Sequence, residues 1–146
     1  MTEQSVAPRR LAMLGAVLVL AGLLTGFVSG QLANPRMGLS SHLVALSGGT
    51  LLLALAGAWS YVRLSPRGER WAVGLLGYGM AANWLATLLA AIWGAGRETM
   101  PLAAAGRQAG AVQEGLVTAL LVSLSAAAVA GLVLVLIGLA QGRRSD

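Results

Sequence analysis

Four long runs without a charged side chain, roughly residues 11–30, 39–62, 71–96 and 116–140, constrain this chain more than any other feature. Each matches the roughly 20 apolar residues that carry a helix across a hydrocarbon core. Charged residues make up 10% of the chain and hydrophobic residues 57%, whereas a soluble domain has about a quarter charged. The sequence therefore specifies an integral membrane protein of the all-α class, a single-domain four-helix bundle over residues 1–146. Water-filled folds cannot hide that much apolar surface at this size.

The connections are short, so neighbouring spans run antiparallel. The first, residues 31–38, carries Asn34 and Pro35, and the proline both breaks the helix and disfavours α geometry at Asn34. The second, residues 63–70, holds three arginines and one glutamate. The third, from Arg97 to about Gly115, mixes Arg97, Glu98, Pro101, Arg107 and Glu114. One side of the membrane carries Arg9, Arg10, Arg63, Arg67, Arg70, Arg143 and Arg144, and the other only Arg36, Arg97 and Arg107. The positive-inside rule then puts both termini in the cytoplasm. Trp59, Tyr61 and Trp71 bracket the second connection as an interfacial belt, and Trp93 marks the opposite interface. Arg9 and Arg10 before an apolar run also resemble a signal peptide, but that run exceeds the usual length of about 7 to 15 residues and leads into no soluble domain.

The pI near 11.4 does not indicate a nucleic-acid partner, because the arginines stand in ones, twos and threes between apolar runs, as membrane loops are charged. Absence of cysteine excludes disulfides, thiolate metal sites, Cys nucleophiles and thioether-linked haem. One histidine forbids a His cluster within a chain. Gly22, Gly26 and Gly30 recur every four residues on one face of the first span, and Gly74, Gly77 and Gly79 in the third and residues 126–131 in the fourth form similar small-residue surfaces. Such surfaces either admit another helix closely or only reflect a composition rich in Gly and Ala. Gly77-x-Gly79 lies inside a membrane helix with no preceding strand and is not a dinucleotide fingerprint.

Polar groups inside the spans are costly and are candidate functional residues. His42 lies near the start of the second span. Asn83 is near the middle of the third, with Trp84 adjacent and Thr87 one turn on. Gln113 and Glu114 open the fourth, with Thr118 a turn deeper. Since alternate helices run in opposite directions, these residues fall at one depth, beside the first and third connections. A polar pocket there is the expected site. Each member also has a structural reading: His42 bonded to a backbone carbonyl, Asn83 gluing helices, Glu114 on its own helix dipole or paired with Arg36 or Arg107, and Ser123 and Ser125 bonded back to their helix.

Several chemistries are excluded. His42 has no Ser and acid partners at a triad spacing, a small multidrug transporter needs a mid-span carboxylate where Glu114 sits at a helix end, and a cytochrome b needs two axial histidines per haem. A single neutral imidazole does hold one haem iron with its sixth position open, and ferric iron there is a Lewis acid toward oxygen.

The stretches LLTGFVSGQLANPRMGLSSHL (residues 23–43), NWLATLLAAIWGAG (83–96) and QEGLVTALLVSLS (113–125) resemble the hydroxylaminobenzene mutases, small bacterial membrane proteins, over most of residues 20–138. The resemblance implies a redox-neutral rearrangement of hydroxylaminobenzene, a small aromatic substrate, to 2-aminophenol in nitroarene degradation. More distantly, the four-helix layout and the lone histidine opening the second span resemble styrene oxide isomerase, a membrane trimer with haem b between its subunits. That likeness implies a homotrimer among membrane lipid, haem b as cofactor, and His42 as its metal ligand, with Arg36 and Asn34 as further cofactor contacts. Asn83 would orient the hydroxylamine, Trp84 with neighbouring aliphatics would line the ring slot, Thr87 would be a further catalytic-site residue, and Glu114 or Arg36 would relay protons or bind a propionate. The isomerase has an asparagine about two turns after its ligand, where this chain has Gly48 and Gly49, and a tyrosine in the third helix where this chain offers Thr87, Trp84 and Asn83. The rival reading is a small transporter or a non-catalytic bundle.

Overall fold

The computed structural model describes residues 6–142. Arg143 and Arg144, counted in the charge asymmetry, lie outside the described residues. Five α-helices follow in order: α1 (Ala7–Val28), α2 (Pro35–Ala58), α3 (Pro66–Trp93), the one-turn α4 (Pro101–Ala104) and α5 (Ala111–Gly142). Single 3₁₀ turns at Ser29–Gln31 and Trp59–Tyr61 extend α1 and α2. Among the described residues there is no strand. The four long helices are long and apolar enough to cross a membrane.

Local chemistry fixes where they begin and end. Asn34 is extended (φ −122°, ψ 93°) and its side chain accepts from the Met37 amide, so α2 starts at Pro35, one turn before the expected residue 39. Proline suits that first position because its missing N–H would have no partner there. Ser65 and Pro66 repeat the arrangement at α3, with the Ser65 hydroxyl accepting from the Gly68 amide at 3.2 Å. At its other end α3 stops at Trp93, short of the expected residue 96. Gly94 enters the left-handed region (φ 69°), and the amides of Gly94 and Ala95 both close on the Ala90 carbonyl, a terminus that glycine adopts without strain. The fourth span starts at Ala111, several residues earlier than expected, and the third connection contains α4.

Helix α1 lies along α2, α2 packs on α3, and α3 packs on α5, while α1 touches α3 more lightly. The small-residue surfaces make these seams. A Cβ on Gly15 would sit 2.7 Å from the Gly49 carbonyl oxygen, and one on Gly49 would be 2.7 Å from that of Gly15, so the two backbones touch. Gly22 meets Ala45 and the His42 carbonyl, whereas Gly30 has no neighbour and takes no part. Across the bundle, Gly79 faces Ala128 and Gly131 faces Leu76. The glycines of α1 and α2 thus form a specific seam.

Leu11, Leu52, Leu76 and Trp59 are fully or almost fully buried at the end where the described chain begins and ends; Met37, Ala90, Ala91 and Val117 fill the other end. Outward faces are apolar as well, with Leu20, Phe27, Val129 and Leu136 exposed, as lipid as solvent requires. The expected belt is corrected at one position. Trp59 is only 3% exposed, because the 3₁₀ turn folds its indole inward, where Nε1 donates to Glu69 Oε1 at 2.7 Å; Tyr61 and Trp71 do face outward.

Candidate functional site

His42 enters the second turn of α2 with its half-buried ring turned toward α1. Its Nδ1 is 2.7 Å from the carbonyl oxygen of Gly22. A carbonyl only accepts, so Nδ1 carries a proton, and in the neutral ring Nε2 then presents the lone pair. This is how a ligating imidazole is commonly held, its other nitrogen donating to a carbonyl or carboxylate. Gly26, one turn along α1, makes the arrangement possible: a Cβ there would stand 2.7 Å from Nδ1 and 2.9 Å from Cε1. The carbonyl bond expected of a structural histidine is present, and it is also the bond that readies Nε2.

Beside it runs a polar chain of which the sequence singled out only Trp84. Trp84 Nε1 donates to Thr25 Oγ1 at 3.0 Å, Thr25 donates to the Ala21 carbonyl at 2.8 Å, and Ser41 donates to the Trp84 carbonyl at 3.2 Å. Thr25 and Ser41 are buried, so three helices are tied together at the depth of His42. The available signal was their position: each adjoins a residue already singled out, Thr25 next to Gly26 and Ser41 next to His42.

Asn83 lies elsewhere. With Leu43, Val44, Ser47, Leu51 and Met80 it lines a groove of about 280 Å³ between α2 and α3, and its amide has no hydrogen-bond partner among the described residues. Thr87 is buried one turn on, with its hydroxyl donating to the Asn83 and Trp84 carbonyls at 2.8 and 3.0 Å. At about 100° per residue, the α2 positions lining this groove point up to half a turn away from His42. A single chain therefore keeps His42 and the Asn83 groove on different sides of α2. Arg36 is exposed on α2 at helical spacing from Leu43 and Ser47, toward the open end of the groove.

The outer connection claims two of the expected site residues. Asn34 is fully buried; its backbone N–H donates to Ala91 O at 2.9 Å, and its side-chain amide donates to the carbonyls of Ala103 at 2.9 Å and Ala104 at 3.2 Å while its oxygen caps α2. Every polar atom of that side chain serves the connection. Glu114, 7% exposed, accepts from the Gly96 amide at 2.9 Å and the Ala109 amide at 3.2 Å, and pairs with neither Arg36 nor Arg107 among the described residues. It stands in the first turn of α5, as the helix-dipole reading expected, and it also clamps the connection from inside, which the sequence reading did not anticipate. Gly96 itself has φ 104°, a geometry that requires glycine where its amide meets the carboxylate. Arg97 donates to the Gln108 side chain on the exposed side. Ser123 and Ser125 bond back to the Leu120 and Leu121 carbonyls, as expected. One turn below Glu114, Thr118 Oγ1 is buried with no partner among the described residues.

The chemistry on offer is an imidazole whose Nδ1 is held by a carbonyl and whose Nε2 is uncommitted, an unpartnered carboxamide in an apolar groove, and no metal-ligating cluster among the described residues. Sequence comparison adds the context. The family described as "SOI: Styrene oxide isomerase" matches residues 7–140. Hydroxylaminobenzene mutase HabB of Ectopseudomonas oleovorans is 51% identical over 126 residues, 85% of this chain and 77% of that protein. Hydroxylaminobenzene mutase HabA of the same organism is 41% identical over 125 residues, 86% of this chain and 93% of that protein. No solved structure matches the chain significantly.

Proposed function

Because this chain belongs to the hydroxylaminobenzene mutases of the styrene oxide isomerase family and is an intramolecular isomerase, we propose that it converts hydroxylaminobenzene-type aryl hydroxylamines to 2-aminophenols. Substrate and product are isomers. The N–O bond breaks, a C–O bond forms at the ortho ring carbon, and the proton lost from that carbon ends on nitrogen, so no reductant is consumed. The expected setting is the bacterial inner membrane with both termini cytoplasmic, which the arginine asymmetry supports.

The single observation that supports the haem reading is the bond of His42 Nδ1 to the Gly22 carbonyl oxygen at 2.7 Å, which leaves Nε2 as the uncommitted nitrogen. A ligand needs that nitrogen free. The family likeness implies haem b, and the donor set fits it: one imidazole with Nε2 uncommitted, no competing ligand cluster among the described residues, and glycine where a larger residue would displace the ring. When bound, the haem supplies an iron that acts as a Lewis acid toward the hydroxylamine oxygen. His42 would hold it through Nε2, and Arg36 would be the cation for a propionate.

The remaining work falls to the chain itself. Asn83 offers its carboxamide as donor to the substrate oxygen or acceptor from its N–H, which fixes the ring's orientation in the groove. Leu43, Val44, Leu51 and Met80 exclude water, which would otherwise compete for the ring carbon. Trp84 holds α3 against α1 through Thr25 and so sets the depth of Asn83. Since one chain keeps His42 and this groove on different sides of α2, the reading requires His42 of one copy to serve the groove of a neighbour, in a homotrimer.

Purified protein given hydroxylaminobenzene without reductant should yield 2-aminophenol and show a Soret band. Full activity after His42→Ala with no Soret band would remove the haem and leave the mutase; no product at all would remove the mutase.

A further inference from the structure

On the lipid-facing side of α3, Arg67, Arg70, Trp71, Gly74, Leu75 and Tyr78 succeed one another at three- and four-residue spacing and line an open trough of about 640 Å³. The stripe is graded. Two guanidinium groups stand at the end of the bundle where the described chain begins and ends, and within one turn the surface becomes apolar. Neither arginine is ion-paired among the described residues; Arg70 Nε donates to the Pro66 carbonyl at 3.3 Å, leaving its terminal nitrogens for another acceptor. Trp71, 66% exposed, forms a wall. Gly74 forms the floor, since a Cβ built there meets nothing within 4 Å. Tyr78 closes the far end, its hydroxyl hydrogen-bonded to Ser123 Oγ of α5 at 2.7 Å.

We infer that this trough binds one anionic phospholipid per chain, with the phosphodiester on Arg67 and Arg70 and an acyl chain along Gly74 and Leu75 between Trp71 and Tyr78. A paired cation head with an apolar floor beneath it is complementary to that ligand's own gradient of charge and hydrophobicity. The trough owes nothing to the proposed reaction, because none of its residues lines the groove of Asn83 or touches His42.

Full-length protein in mild detergent, examined by native mass spectrometry with added phosphatidylglycerol or phosphatidylcholine, tests the site. The wild type should retain one phosphatidylglycerol per chain, about tenfold in preference to phosphatidylcholine, as two basic residues near an anionic headgroup provide. Arg67→Gln with Arg70→Gln should abolish the preference. Gly74→Leu, which keeps both charges and builds into open space, should weaken retention of both lipids without lowering the melting temperature. Equal retention of the two lipids by the wild type would overturn the site, as would undiminished phosphatidylglycerol binding by Gly74→Leu. A change of oligomer mass on Gly74→Leu would also overturn it, because the face would then be a contact between copies.

Discussion

The imidazole of His42 gives its Nδ1 hydrogen to the carbonyl oxygen of Gly22, 2.7 Å away, while the ring rests on Gly26 one turn further along the same helix. The four-residue spacing of those two glycines puts the acceptor and the space for the ring on one face of α1. Gly22 also lets α2 approach closely enough for the bond to form.

Gly26→Ala puts a methyl group within 2.7 Å of Nδ1, so the ring must turn away. The expected result is a folded protein, destabilised by about 1–3 kcal/mol as overpacking usually is, with mutase activity down at least tenfold. Gly30→Ala, where nothing lies within 4 Å, is the control and should behave as wild type. Turnover and melting temperature measured together on both variants decide the matter.

Replacing His42 itself should separate stability from function. The Nδ1 bond contributes about 1 kcal/mol net, so His42→Ala should melt a few degrees lower and remain assembled. Activity should fall by more than a hundredfold, any Soret band should shift or vanish, and added imidazole should restore part of both. Activity within a factor of two of wild type would show that the imidazole is structural.

Asn83→Leu should be neutral or slightly stabilising, because the amide makes no hydrogen bond among the described residues and the groove around it is apolar. Its turnover of hydroxylaminobenzene should nevertheless fall at least tenfold, since orientation of the substrate is lost. A clear drop in melting temperature with normal turnover would instead identify Asn83 as glue between helices or copies.

For Glu114 the expected order is reversed. Alanine strands the Gly96 and Ala109 amides, and each buried donor left unpaired costs about 1–3 kcal/mol, so Glu114→Ala should unfold the outer connection and lower the melting temperature strongly. Glu114→Gln keeps one oxygen acceptor and should lose roughly half as much stability. Activity per folded molecule should hardly change in the glutamine variant. Loss of turnover by Glu114→Gln at full stability is the result that would return the carboxylate to proton transfer.

The sequence by itself determined the four spans and their alternating direction; it also held the cap signals of two starts, although the charge-free runs put α2 and α3 four and five residues late. Span length follows from local hydropathy, and Asn34-Pro35 and Ser65-Pro66 act within one turn of chain, so no distant contact is needed to read them. It also brought His42 and Asn83 to similar depth, because depth is distance along a straight helix, whereas Glu114, whose carboxylate meets the Gly96 and Ala109 amides, stands further out, at the third connection. Only the tertiary structure decided which way each helix is rotated. In water an amphipathic stripe would mark the buried face, but in lipid the outside is as apolar as the inside, and rotation is set by how small residues interlock. For that reason Gly15, not Gly30, joins the α1–α2 seam, Trp59 turns inward, and Asn34 and Glu114 are committed to the outer connection. The same rotation leaves His42 and Asn83 on different sides of α2.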